Sequence, residues 1–169
     1  MAKGKSSAER AAAATPATTA LADLGIPYAL HSYKHDPRTT EYGQEAAESL
    51  GIAPSRVFKT LVVDVDGDLV VAVVPVSGTL DLKALAATVG GKKATMADPV
   101  RAERATGYRV GGISPLGQRT PLPVVLDTSA TDFESVLVSA GKRGLDLEVM
   151  TPHLIAALNA RTAPIARRA

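Results

Sequence analysis

The dipeptide Asp66-Gly67, set between two apolar runs at residues 57–65 and 69–76, constrains this chain more than any other feature. Asp-Gly suits the two-residue turns in which both central residues take positive φ. The chain is therefore expected to fold back there as an antiparallel hairpin. Its second arm, Leu69-Val70-Val71-Ala72-Val73-Val74, lacks polar alternation. A strand of that kind is buried on both faces, so other elements must cover the hairpin from two sides. Short helices are expected from Pro16 to a stop at Gly25, and over residues 43–50, 81–89, 99–106 and 152–158. Thr15-Pro16, Asp98-Pro99 and Thr151-Pro152 each read as an N-cap followed by proline in the first turn. Further strands are expected at 28–33, 95–97, 108–110, 123–126, 136–138 and 145–149, and Arg161, Arg167 and Arg168 leave a basic end. Hairpins mixed with single helices predict an α+β fold: one domain over residues 15–169, with a central mixed, barrel-like β-sheet surrounded by short helices. Residues 1–14, small and alanine-rich, read as a disordered tail.

Composition narrows the chemistry. With 169 residues the chain can build one ordinary core. The net charge of +2 permits contact with a polyanion without demanding it. Aromatic residues are 4% of the chain and Trp is absent, which argues against a long base-stacking platform. Cysteine is absent too, so there is no disulfide, thiolate ligand or enzyme thiol nucleophile. No signal-peptide pattern and no membrane-spanning apolar run are seen, and a cytoplasmic protein without cofactor is expected. The histidines are His31, His35 and His153. On a strand His31 and His35 would lie roughly 13 Å apart, too far to share one ion, so no metal site is expected.

Three places stand out from ordinary packing. Val110-Gly111-Gly112-Ile113-Ser114-Pro115-Leu116-Gly117 is a glycine-rich loop stiffened by proline. Its glycines allow close approach to backbone N–H groups, which can form a concave site for an anion or oxyanion. The plainer reading is a tight turn; neither a P-loop nor a dinucleotide fingerprint fits the spacing. Lys59, between Phe58 and Thr60, is a cation inside an apolar strand. Either its face opens into a pocket, or it sits at an edge with its head group in water. Asp146 poses the same question between Leu145 and Leu147, where alternation would place it in solvent opposite Lys142 or Arg143. Tyr33 reads in isolation as a core residue with a satisfied hydroxyl. Ser114 lacks the elbow motif of a serine nucleophile.

Taken in order, seven separated stretches resemble the YbaK/EbsC family of Cys-tRNA(Pro) deacylases, related to the editing domain of prolyl-tRNA synthetases. They are His31-Ser32-Tyr33 with His35-Asp36-Pro37; Val57-Phe58-Lys59-Thr60-Leu61; Leu80-Asp81-Leu82-Lys83; Met96-Ala97-Asp98-Pro99; Thr106-Gly107-Tyr108; Val110 through Gln118; and Gly141-Lys142-Arg143-Gly144-Leu145-Asp146. The resemblance implies removal of cysteine from mischarged tRNA, with the acceptor end of aminoacylated tRNA as partner and prolyl-tRNA synthetase as a further one. It places the family's key lysine on Lys59 and pocket positions on Tyr33, Tyr42, Thr60, Gly111, Ser139 and Asp146. Phe58, Gly112, Ile113 and Ser114 join them from the same stretches, Gly111 and Gly112 as candidate oxyanion donors. Tyr42 stands where Phe is common, and Ala140 where Gly is common. The resemblance further implies that the substrate's own thiol attacks its ester. A non-catalytic module binding aminoacyl-tRNA or a synthetase, and a deacylase for another small amino acid such as alanine, are the alternatives.

Overall fold

The hairpin organises the structure. The computed structural model describes residues 14–168, so the tail expected over residues 1–14 lies outside the described residues apart from Ala14. Strand β2 (Phe58–Val65) turns at Asp66 and Gly67, with φ of 52° and 96°, into β3 (Asp68–Pro75). The antiparallel register runs from Val65 opposite Asp68 to Phe58 opposite Pro75. Val71 and Val73 of β3 enter one apolar cluster, and Val70, Ala72 and Val74 enter another. The unalternated sequence is thus a strand sandwiched between two cores.

Helix α1 (Pro16–Asp23) begins as expected, with Thr15 accepting a hydrogen bond from the Thr18 N–H in a reciprocal capping box. It packs with β1 (Tyr28–Ser32), β7 (Ser135–Lys142), β8 (Leu145–Met150) and α5 (Thr151–Leu158) around the first cluster. Helix α3 (Leu82–Thr88), capped by Asp81, covers the second. Helix α2 (Tyr42–Leu50) closes a third, small cluster in which Ala46 and Ala47 meet Val57 and Leu137. Helix α4 is Pro99–Thr106. The remaining strands are β4 (Gly78–Leu80), β5 (Ala94–Met96), β6 (Val124–Asp127), β9 (Arg161–Ala163) and β10 (Ala166–Arg168).

The α+β expectation is met, but the barrel-like sheet is not. Among the described residues the strands form a mixed five-stranded sheet in the order β5-β2-β3-β6-β9, a three-stranded sheet β1-β8-β7, and the pair β10-β4. They do not close into a barrel. A parallel bridge between Val57 and Leu137 joins the two larger sheets.

Three local expectations are corrected. Residues 108–110 form no strand; the Tyr108 hydroxyl donates to the Leu116 carbonyl (2.6 Å), which folds the segment into a loop. Thr151 is the first residue of α5 rather than its N-cap, because its hydroxyl is taken by the Phe133 carbonyl (2.7 Å). The basic end is ordered into β9 and β10. Buried Asp127 accepts hydrogen bonds from the N–H groups of Ile165 and Ala166, both at 2.9 Å, and so fastens the chain between these strands. No helix among the described residues is long and apolar enough to cross a membrane.

Candidate active site

Strand β5 pairs only with Val63–Val65 of β2, so β2 is open on that side around Lys59. Lys59 is therefore at a free edge, and that edge also lines a cavity of about 480 Å³. Both sequence readings of this lysine thus hold part of the truth. The volume suits a small-molecule site, for which about 300–1,000 Å³ is usual. Among the described residues the Lys59 ammonium has no ion pair. Thr60 Oγ1 is buried with no hydrogen-bond partner among the described residues. Such an orphan costs roughly 1–3 kcal/mol, and a ligand that bonds it recovers that cost.

The opposite wall comes from the three-stranded sheet. Asp146 pairs in register with Ser139 on β7 and His31 on β1, and its side chain turns inward rather than to solvent. It is only 5% exposed, and no cation pairs with it among the described residues. Burial pushes its pKa up to about 6. Ser139 begins a β-bulge that ends at Lys142, and its hydroxyl accepts from the Gly141 N–H (3.1 Å). Bulges commonly re-aim side chains beside functional sites. Tyr33 packs against the third cluster and also lines the cavity. Burial first, and the Asp146 carboxylate second, raise its pKa to about 12, so the phenol keeps its proton.

The third wall is α2 and the glycine loop. Glu45 of α2 holds the preceding segment by accepting from the Asp36 N–H (2.8 Å) and bonding His35 Nδ1 (2.7 Å). This places Tyr42 against the loop, where the Arg143 guanidinium lies 4.8 Å from its ring centre. Gly111 and Ile113 reach the cavity; Gly112 and Ser114 do not. A Cβ on Gly112 would come within 2.8 Å of the Lys142 Cα, so this glycine permits backbone-to-backbone packing. Ser114 is fully buried, and its hydroxyl accepts from the Leu116 N–H (3.3 Å) inside the loop. Both residues build the loop from behind.

The structure thus brings Tyr33, Tyr42, Phe58, Lys59, Thr60, Gly111, Ile113, Ser139 and Asp146 to one cavity. Sequence reasoning missed Glu45 and the pairing of Arg143 with Tyr42, since neither residue breaks a local pattern. His31 and His35 part company: His31 Nε2 bonds Glu148 (3.0 Å), far along β1 from the His35–Glu45 pair.

Comparison with known proteins identifies the family and the fold. The sequence profile of the aminoacyl-tRNA editing domain matches residues 36–157. EbsC of Enterococcus faecalis, named as a candidate Cys-tRNA(Pro)/Cys-tRNA(Cys) deacylase, is 42% identical over 72% of this chain and 75% of its own. A proline–tRNA ligase of Moorella thermoacetica is 30% identical over 64% of this chain, a match that occupies 19% of the ligase. A crystal structure described as a candidate trans-editing enzyme for prolyl-tRNA synthetase superimposes with a TM-score of 0.81 at 25% identity, covering 97% of this chain and 99% of the other. The chain belongs to the aminoacyl-tRNA editing domain family, a class of aminoacyl-tRNA deacylase.

Asp146 offers a direct check of the site's electrostatics. Its folded pKa lies above the 3.8 of an unburied aspartate, so the fold accommodates the protonated form better. That contribution to stability is complete below about pH 4 and is lost as the pH rises through about 6. A carboxyl-carbon NMR titration should give a midpoint for Asp146 near 6. In urea denaturation, Asp146→Asn should gain on the wild type by roughly 2–3 kcal/mol between pH 4 and pH 8. A midpoint near 3.8 would contradict a desolvated, unpaired carboxylate.

Proposed function

We propose that this protein removes cysteine from mischarged Cys-tRNA(Pro), acting in the cytoplasm on the acceptor end of the tRNA, and that the cysteine thiol is the nucleophile. One observation carries this reading. Among the described residues the cavity offers groups that bind and polarise a substrate, but no thiol and no hydroxyl hydrogen-bonded to an activating base. The chain has no cysteine. Ser114 is buried outside the cavity, and Ser139 is hydrogen-bonded to no base among the described residues. The named activity of EbsC and the match to a prolyl-tRNA synthetase relative support the substrate class and a partnership with that synthetase.

In the proposed reaction the substrate thiolate attacks its own ester carbonyl. A C–S bond forms, and the ribose–carbonyl C–O bond breaks. The ribose oxygen leaves with the electron pair and takes up a proton. The products are tRNA and a cysteine thiolactone, which water then opens to cysteine. The protein's task is to hold thiol and carbonyl in reactive geometry, a contribution that reaches about 7–11 kcal/mol in favourable cases. We assign the Gly111 N–H to the developing oxyanion, the Asp146 carboxylate to the substrate ammonium, and Lys59 to the carbonyl oxygen or the terminal phosphate. Thr60 Oγ1, which lacks a partner among the described residues, is left for a polar atom of the substrate.

Selectivity follows from the chemistry. Alanine is smaller than cysteine and enters any pocket that cysteine fits. Loss of apolar contact discriminates by only about 1–3 kcal/mol. Alanine has no thiol and so cannot react by this route. Serine differs by one atom, but its hydroxyl is a far weaker nucleophile than a thiol, which is a few per cent ionised at neutral pH.

Incubation with Cys-, Ser- and Ala-tRNA(Pro) tests the proposal. Cysteine should be released rapidly and the other two barely. Equal rates for Cys and Ser would show that water or an enzyme group attacks. Binding without release of any amino acid would show a non-catalytic module.

The same assay tests Lys59. Lys59→Ala should fold, since the side chain makes no ion pair, and should lose activity about 100-fold or more, the scale of removing one polarising donor. Near-native turnover by the folded variant would remove Lys59 from the mechanism.

A further inference from the structure

We propose that Arg143 is a positioning residue that sets the direction of the Gly111 N–H. This rests on the deacylase reading above, in which that N–H meets the oxyanion. The Gly112 N–H donates to the Arg109 carbonyl (2.9 Å), closing a four-residue turn with Val110 and Gly111 at its centre. Gly111 has φ of +92°, and Val110 is not among the residues with positive φ. That combination defines a type II turn. Type I and type II turns share their end points and differ by a flip of the central peptide, here the one linking Val110 to Gly111.

The flip matters because a trans peptide is planar, with its C=O and N–H pointing in opposite directions. Whatever holds the Val110 carbonyl therefore aims the Gly111 N–H. Arg143 holds it twice, through Nε (3.2 Å) and Nη2 (2.6 Å). The preceding peptide is held as well, since the Val110 N–H donates to Glu103 Oε2 (2.8 Å). The Arg143 guanidinium lies over the Tyr42 ring, which restrains its long side chain. A Cβ at position 111 would sit 2.6 Å from Arg143 Nε and 2.8 Å from Tyr42 Cζ, so only glycine fits beneath this clasp. The Gly111 N–H itself has no acceptor among the described residues.

Arg143 lies in the turn between β7 and β8, the strands that carry Ser139 and Asp146. The clasp therefore ties the loop's N–H to the wall that holds the carboxylate. A phosphate contact is a different role for an exposed arginine, and kinetics separate the two. Arg143→Ala should lower kcat for Cys-tRNA(Pro) by at least about ten-fold, part of the loss expected for a missing oxyanion donor. Its KM and melting temperature should stay close to wild type. Arg143→Lys keeps the charge but not the two-pronged hold, and should remain impaired. A raised KM with unchanged kcat, or full rescue by lysine, would overturn the proposal in favour of a charge contact.

A second readout needs no substrate. In the ligand-free protein, the Gly111 amide resonance should shift or broaden in Arg143→Ala as the central peptide gains freedom to flip, while the Gly67 amide stays in place. If the wild type released no amino acid from any charged tRNA, the deacylase reading would fail and this resonance alone would decide the role of Arg143. An unmoved Gly111 amide would overturn it.

Discussion

The site depends on one parallel bridge, between Val57 at the foot of β2 and Leu137 on β7. The Leu137 N–H donates to the Arg56 carbonyl (3.1 Å), and both apolar side chains are buried beneath α2. Arg56 strengthens the seam through the Ser135 carbonyl (3.0 Å), the Ser135 hydroxyl (2.8 Å) and Glu148. Because the strands run parallel here, two residues further along each lie Lys59 and Ser139. Asp146 is the register partner of Ser139. One seam therefore holds the cation-bearing edge of the larger sheet at a set distance from the carboxylate-bearing wall of the smaller one.

What that seam holds in place is costly for a protein without a ligand. Among the described residues, Asp146 is desolvated and unpaired, Thr60 Oγ1 is buried without a partner, and the Gly111 N–H lacks an acceptor. Apolar packing alone would favour none of these. Groups left incomplete together in one cavity are expected where a substrate completes them. The two apolar clusters on either side of β3 provide the stability against which such a site can be maintained.

Much of this was legible in the chain wherever a residue broke a local rule. Asp66-Gly67 carries the turn chemistry of a hairpin, and the unalternated β3 run has no solvent face. Lys59 is conspicuous because an ammonium does not belong in an apolar strand. Asp146 stands out as well, but alternation looks the same whether the polar face meets water or a cavity, so only the tertiary wall decides where it points. Strands β9 and β10 escaped notice because their order comes from Asp127, far away in sequence. Thr151 and Tyr108 misled for a related reason: a distant or looped carbonyl captured hydroxyls that local rules assign elsewhere. In the glycine loop, local sequence does not separate Gly111 from Gly112 and Ser114; what does is the resemblance, and then the packing of Gly112 against the turn between β7 and β8.

The central claim is that the protein supplies geometry and polarisation while the substrate supplies the nucleophile. Its most direct test is a quenched single-turnover reaction on Cys-tRNA(Pro), followed by mass spectrometry. The account predicts a transient product one water lighter than cysteine, the thiolactone, that appears with free tRNA and decays into cysteine. Free cysteine formed in step with tRNA from the earliest time, with no such transient, would contradict it.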